Sequence, residues 1–322
     1  MLPWCDASSY TVLADLGTFD AASRVQSAHG VPASSVRALM QFNGRLSGGT
    51  LATGILLDSA DEAVQSCRRD PYALGGAPVS GARVSDADPR SAEHDPDLDV
   101  WTSPFWMADI DSRVVRRSAG LFRTVSNVGR GCGADGPAPI YHPDFTYRER
   151  SLAPDEHSAR NLSTPTPPVE KRVRLRERGR LPRPGQGPSE AVRSQSWFRL
   201  FFWADAARAD GADPKGVLTS IHGADPGYDE TSKMCAEAAI MLATRRDELP
   251  ATRLRRTGEA EGYGGVLTPA FALGRPLVDT LRERGLEFAQ LAVVGGDGGT
   301  SVADAAATMR TLAARPREKD QG

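Results

Sequence analysis

The sequence has only four cysteines, Cys5, Cys67, Cys132 and Cys235, and no two of them form a CxxC pair. That spacing excludes the common zinc and dithiol motifs and argues against a disulfide framework, so a reducing compartment is the simpler expectation. No apolar run approaches the ~18 residues a membrane span requires. The opening Met1-Leu2-Pro3-Trp4-Cys5-Asp6 lacks the basic and apolar regions of a secretory signal. Charge of one sign is missing too: 322 residues carry a formal net charge of −2, which gives a polyanion no field to follow, so no nucleic-acid partner is expected. His29, His94, His142, His157 and His222 show no HExxH or paired spacing, and Glu93 to Asp99 lacks EF-hand order, so no metal is expected either. No Ser-His-Asp arrangement stands out.

What the sequence does contain is the make-up of a folded globular protein, 40% hydrophobic and 25% charged, with 32 glycines and 23 prolines that imply long loops. Val36 to Phe42 reads as a strand closed by Asn43-Gly44. Ser47 or Thr50 can cap the helix that follows, whose apolar residues Leu51, Ile55 and Leu56 fall near helical spacing. Residues 75–99 read as a polar loop. Phe105 to Phe122 reads as a helix with a basic side at Arg113, Arg116 and Arg117, and Phe145 to Arg150 alternates like a strand.

Trp197 to Trp203 is the most strand-like run, and its aromatics on both faces predict a sheet covered on both sides. Gly216 to Ile221 is its expected hairpin partner. Tyr228 to Arg246 is expected to be a helix capped by Asp229 or Thr231, with an apolar face at Cys235–Leu242. A short helix at Leu277 and Leu281, stopped by Gly285, precedes a strand from Leu286 to Val294. Strands and helices mix without a βαβ rhythm. That predicts an α+β fold with a mixed, largely antiparallel sheet and helices packed mainly on one face.

Three segments together resemble the second half of the saccharopine-dehydrogenase-like and trans-acting enoyl reductase group. The first is Arg45-Leu46-Ser47-Gly48-Gly49-Thr50-Leu51-Ala52-Thr53, similar to the family's SGGT-type turn. The second runs from Trp101-Thr102-Ser103-Pro104-Phe105-Trp106-Met107-Ala108 to Ser118. The third begins at Pro184-Gly185-Gln186-Gly187-Pro188-Ser189-Glu190. It continues through Gly223-Ala224-Asp225-Pro226-Gly227-Tyr228 to Gly264-Gly265-Val266-Leu267-Thr268-Pro269-Ala270. The likeness spans roughly residues 8–290.

The resemblance implies NADP-dependent hydride transfer, of the enoyl reductase type, to a lipid or polyketide-like substrate. It also implies an N-terminal Rossmann domain. Such a domain needs a strand, a glycine-rich turn and a helix N-terminus facing the pyrophosphate. Residues 1–35 supply none: their only glycines are Gly17 and Gly30. Asp15-Leu16-Gly17 matches the end of the family's GFDSxPSDLG-like junction, whereas Ser8, Ser9, Tyr10 and Leu13 replace its Gly, Phe, Asp and Pro. Residues 1–35 therefore read as a degenerate remnant of the junction with a missing Rossmann domain, and a truncated gene model is the preferred reason.

Residues 36–150 and 185–290 form the expected substrate or dimerisation domain. Residues 151–184, with five prolines between Pro165 and Pro184 and seven arginines from Arg160 to Arg183, read as a flexible excursion; residues 291–322 read as a C-terminal tail. Relatives often have an apolar stretch where this chain has 151–183. Membrane contact is therefore expected to be weak and electrostatic at most.

The resemblance places Ser47, Gly48, Gly49 and Thr50 at a cleft shared by cofactor and substrate; a helix cap is the plainer reading. Arg113 could receive an anionic head group, with Arg116 and Arg117, although a solvated helix face explains all three. Tyr228 and Thr268 complete the substrate-binding candidates, as a helix-start tyrosine and a Thr-Pro turn. Val293 to Thr300 superficially resembles a phosphate loop but fits neither Walker A nor Rossmann spacing, so a flexible linker is expected. No NADP is expected to bind this chain alone. A homo-oligomer or a Rossmann domain in trans is an expected partner, and a non-catalytic binding or dimerisation module is the rival reading. A cytoplasmic location is expected, with the periphery of a membrane or lipid droplet as the variant.

Overall fold

The computed structural model describes residues 9–78, 85–129, 139–209, 211–253, 265–296 and 298–314. Cys5, Cys132, Ser8, Gly264 and Asp297, each used above, lie outside the described residues. In chain order the elements begin α1 (Ser9–His29), β1 (Ala33–Asn43), α2 (Gly48–Asp58), α3 (Glu62–Arg69), β2 (Glu93–Asp95), β3 (Val100–Pro104) and α4 (Ala108–Gly129). There follow β4 (Tyr141–Ala153), α5 (Glu156–Leu162), α6 (Val169–Glu177), α7 (Glu190–Arg193), β5 (Trp197–Ala206), β6 (Gly216–Gly223) and α8 (Asp229–Thr244). The last are α9 (Pro250–Arg253), α10 (Pro269–Ala272), α11 (Gly274–Glu283), β7 (Glu287–Val294) and α12 (Val302–Ala314).

The strands form one sheet in the order β2-β3-β4-β1-β5-β6-β7. β1 runs parallel to β4, and the other neighbouring pairs are antiparallel, β5–β6 being the anticipated hairpin. This is the α+β architecture expected. The period-2 alternation of β5 fixes the two faces: Phe198, Leu200, Phe202 and Ala204 enter one core, and Phe201 and Trp203 another. Burying each such aromatic contributes about 1.5–3 kcal/mol. α1, α4, α8, α10 and α11 cover the first face. α12 covers part of the second with Ala305, Ala306 and Met309.

Three segments differ from expectation. α1 was not anticipated at all. Its buried apolar residues, among them Leu13, Leu16, Ala21 and Val25, are interleaved with buried Thr11, Asp15, Thr18 and Asp20. The polar residues erase the one-sided stripe that marks a surface helix. α1 runs across β1, β5 and β6, and Gly17 lets it approach so closely that a Cβ there would overlap the Phe202 ring.

Residues 151–184 are also structured. β4 continues to Ala153, Asp155 caps α5 by accepting the Ser158 N–H at 2.7 Å, and Ala159 is fully buried. α6 docks on α2 through Arg172 Nη2 and Asp58 Oδ2, 2.6 Å apart. The prolines cluster before α6 and after it, where they set its ends rather than break it. The tail expectation fails for the same kind of reason: α12 opens on Ser301, whose Oγ accepts the Asp304 N–H at 3.1 Å, and buries three side chains.

Candidate functional site

Parts of the first and third resemblance segments meet at one end of the sheet. Register brings Asn43 of β1 opposite Trp197 of β5, and Phe198 opposite Gly223 of β6, so the turns after β1 and β6 emerge side by side. Ser47 caps α2: its Oγ accepts the Thr50 N–H at 3.0 Å and lies 3.0 Å from the Thr50 hydroxyl. The 183–186 turn then sits directly on Gly48, whose N–H donates to Gln186 O at 2.8 Å. A Cβ on Gly48 would strike the Arg183 carbonyl, and one on Gly187 would strike the Tyr228 hydroxyl. Only glycine permits these approaches. Asp225 holds the third turn by accepting the Tyr228 N–H at 2.7 Å. Asp229 and Thr231, the anticipated caps of α8, instead pair with Arg193 at 3.2 Å and donate to Pro226 O at 2.7 Å.

Ser47, Gly48, Gly49, Thr50 and Tyr228 are therefore brought together. Thr268 is not. It is buried at the start of α10, where its hydroxyl lies 2.5 Å from that of Ser118, which also donates to Asp15 Oδ1 at 2.5 Å. The second Asp15 oxygen accepts the Ala270 N–H at 2.8 Å, so Asp15 ties α1, α4 and α10 together.

Arg113 lies elsewhere again and is neither free nor solvated. It is 2% exposed, and its five N–H groups are engaged: both Asp88 oxygens (2.5 and 2.8 Å), the carbonyls of Asp70 and Arg68, and Ser112 Oγ. Arg116 is likewise buried, bound to Asp86 and to the carbonyls of Pro71, Asp86 and Tyr147. These two arginines fasten Asp70, Pro71, Asp86 and Asp88 to α4. No donor of Arg113 is left for an anionic head group.

The described residues on either side of Asp297 are bonded to one another, which a flexible linker would not be. Gly295 N donates to Thr300 O (3.2 Å), Thr300 N to Val293 O (2.8 Å) and Gly299 N to Gly296 O (3.2 Å). Those N–H groups are spent inside the turn.

Sequence reasoning missed a set of buried acids on the helix side of the sheet. Asp111 of α4 is fully buried; its Oδ1 accepts the Thr11 hydroxyl at 2.5 Å, and its Oδ2 has no hydrogen-bond partner. Glu149 of β4 is 1% exposed, accepts the Tyr147 hydroxyl at 3.2 Å through Oε2, and leaves Oε1 unpartnered. Neither forms an ion pair among the described residues. Burial pushes Asp111 up to about 8, against the Thr11 hydrogen bond. Burial first, and then the Asp111 charge, raise Glu149 well above the usual carboxyl range. Asp15 rises to about 7 for the first of these reasons. Asp15 alone carried a signal, an acid among apolar neighbours in α1; Asp111 and Glu149 stand among other charged residues in the sequence. Among the described residues no group of His, Cys, Asp and Glu could hold a metal ion.

A cavity of about 390 Å³ lies apart from the motif cluster, lined by Ser23, Arg24, Ser27, Ala28, Arg275 and Gln290. Its arginines already pair with Asp20, at 2.7 Å for Arg24 and 2.5 Å for Arg275, so the converging motifs make the stronger candidate.

Over 267 residues, 77% of its length, the chain is 29% identical to a Mycobacterium tuberculosis protein provisionally named a trans-acting enoyl reductase. A trans-acting enoyl reductase of Mycobacterium ulcerans is 27% identical over 256 residues (74% of the chain), and one of Mycobacterium bovis 28% over 265 (77%). The chain is distantly similar to the trans-acting enoyl reductases. It spans little more than half the length of these relatives: 57%, 55% and 57% respectively. No protein-family profile matches it, and no solved structure does. No helix among the described residues is long and apolar enough to cross a membrane.

Proposed function

We propose that this chain is the substrate-side portion of a saccharopine-dehydrogenase-like oxidoreductase that carries out enoyl reductase-type hydride transfer to a lipid or polyketide-like substrate. The similarity to proteins named trans-acting enoyl reductases carries this reading. The meeting of Ser47–Thr50, the 183–187 turn and Tyr228 at one sheet end supports it, because motifs far apart in sequence there share one surface. Neither candidate phosphate turn among the described residues speaks for NADP here: the Gly48 N–H is taken by Gln186 and its open side by Arg183, and the Gly295, Gly299 and Thr300 N–H groups bond within their own turn. A dinucleotide domain outside these residues, in the same polypeptide or in trans, is where NADP belongs in this reading.

The test combines this chain with the dinucleotide domain of one of its relatives and follows NADPH oxidation with a 2-enoyl thioester. Turnover is expected from the combination, and Gly48→Val is expected to abolish it by displacing the 183–187 turn. An NADPH fluorescence titration of the chain alone is expected to show no tight binding. Tight binding would place the cofactor here after all.

One observation favours a second reading, a dimerisation module. On α8 the anticipated apolar face buries Met234 and Met241, yet leaves Ile240 and Leu242 52% and 54% exposed. Sedimentation of the wild type and of Ile240→Glu decides it: an unchanged monomer in both excludes a dimer through α8.

A further inference from the structure

Away from the motif cluster, three guanidinium groups gather on a single carboxylate where α1, α11 and β7 meet. Asp20 of α1 is buried. Its Oδ2 accepts the Arg24 Nε–H at 2.7 Å, and its Oδ1 accepts from Arg275 Nη1 at 2.5 Å and Arg282 Nη2 at 3.5 Å. Arg24 Nη1 also donates to Gln290 Oε1 of β7 at 3.2 Å. The Arg275 guanidinium lies over the Phe19 ring, 5.8 Å from its centroid, and that of Arg282 over Phe288 at 5.3 Å. Bonds and ring faces thus hold these cations in place before any ligand arrives.

One negative charge does not neutralise three positive ones. The exposed Asp279 meets Arg282 at 3.1 Å, and among the described residues no acid but Asp20 and Asp279 pairs with these arginines. Arg24 and Arg275 line the cavity of about 390 Å³ and share Asp20 alone, so its wall keeps a positive charge. Donors are left over as well. Arg24 Nη2, Arg275 Nε and Arg275 Nη2 have no hydrogen-bond partner among the described residues. The last two form one edge of a guanidinium, spaced for two oxygens of a single oxyanion. Ser23 and Ser27 donate their hydroxyls to the carbonyls four residues back, at 2.7 and 2.9 Å, which leaves their oxygens as acceptors toward the cavity. That lining suits a hydroxylated body and not an acyl chain, and the volume is that of a small-ligand site.

We propose that this cavity binds a small, hydroxylated phosphate monoester, with Arg275 and Arg24 contacting the phosphate and the two serines its body. A phosphate monoester carries about −1.5 to −2 charges at neutral pH and has three oxygens for the three free nitrogens. A carboxylate, with one charge and two oxygens, satisfies only the Arg275 edge. Binding here requires neither cofactor nor second domain, so it stands apart from the reductase reading.

Isothermal titration calorimetry of the full 322-residue chain at constant ionic strength tests this, with glycerol 3-phosphate as the probe and acetate for comparison. Saturable binding is expected at about millimolar concentration or below, with acetate at least about tenfold weaker. Arg275→Gln should weaken glycerol 3-phosphate by about tenfold or more, the usual effect of losing a charged hydrogen-bond donor. If that variant fails to fold, Ser27→Glu serves instead. Ser27 is exposed and takes part in no ion pair, so its change should keep the circular dichroism spectrum, while the added carboxylate on the cavity wall abolishes binding. Vesicles containing phosphatidic acid separate a lipid phosphate from a soluble one, and no capture beyond that by neutral vesicles is expected. Absence of saturable binding, equal affinity for acetate, or affinity unchanged in Arg275→Gln or in Ser27→Glu overturns the proposal. So does capture by the phosphatidic acid vesicles without binding of the soluble ester.

Discussion

β4 sends side chains to both faces of the sheet, and its arginines and its glutamate are treated in opposite ways. In Tyr147-Arg148-Glu149-Arg150 the odd residues enter the helix side and the even residues the other. On the far side the arginines are matched. Arg37 meets Asp95 and Asp97 at 2.8 and 3.0 Å, Arg148 meets Glu93 at 2.8 Å, and Arg150 binds Thr102, the Ser91 carbonyl and Glu93. On the helix side Asp15, Asp111 and Glu149 have hydroxyl and N–H donors but no cation among the described residues. A paired charge keeps its ionisation across the working pH range, whereas an unpaired buried acid exchanges its charge for a proton. Arg37, Arg148 and Arg150 are matched by acids. Asp15, Asp111 and Glu149 are poised to titrate.

The largest expected effect of this difference is a loss of stability on raising pH. Asp15 and Asp111 are raised to about 7 and about 8, and Glu149 is raised as well. Acids with raised folded-state values stabilise the fold fully below their unfolded-state pKa, and this contribution is lost as pH climbs through the folded values. Thermal melts between about pH 5 and about pH 9 should therefore fall by the equivalent of a few kcal/mol. A flat or rising profile breaks the comparison.

A smaller effect belongs to the matched arginines. Arg150→Ala removes the guanidinium that joins β4 to β3 and to Ser91, at an expected cost of about 2 kcal/mol in urea unfolding. That cost should be the same at both ends of the pH range; a pH-dependent cost would mean the faces are not electrostatically separate. The smallest effect sharpens the comparison. Glu149→Gln, close in shape, should change stability by less than about 1 kcal/mol at pH 5 and leave the protein more stable than the wild type at pH 9.

Much of the sheet was legible from residue order. β1, β5, β6 and β7 carry alternating or doubly apolar runs bounded by turn residues, and α2, α4, α8 and α11 have recognisable stripes or stops. The motif cluster was legible only in part. Ser47–Thr50 and Tyr228 were singled out and do converge, but Arg113 and Thr268 are spent on structural bonds away from them. α1 was illegible because tertiary contacts bury it on several sides, and sequence periodicity reports only one-sided burial. Residues 151–184 misled because net composition hides where in a segment the prolines fall.

By itself the sequence determined the α+β class, the places of five strands and the likeness to enoyl reductases, since these depend on local periodicity, turn chemistry and residue order. Only the tertiary structure decided which charges are neutralised. Whether an aspartate meets an arginine, a hydroxyl or nothing depends on residues a hundred positions away, as Thr11 and Asp111 are. No local pattern encodes that distance.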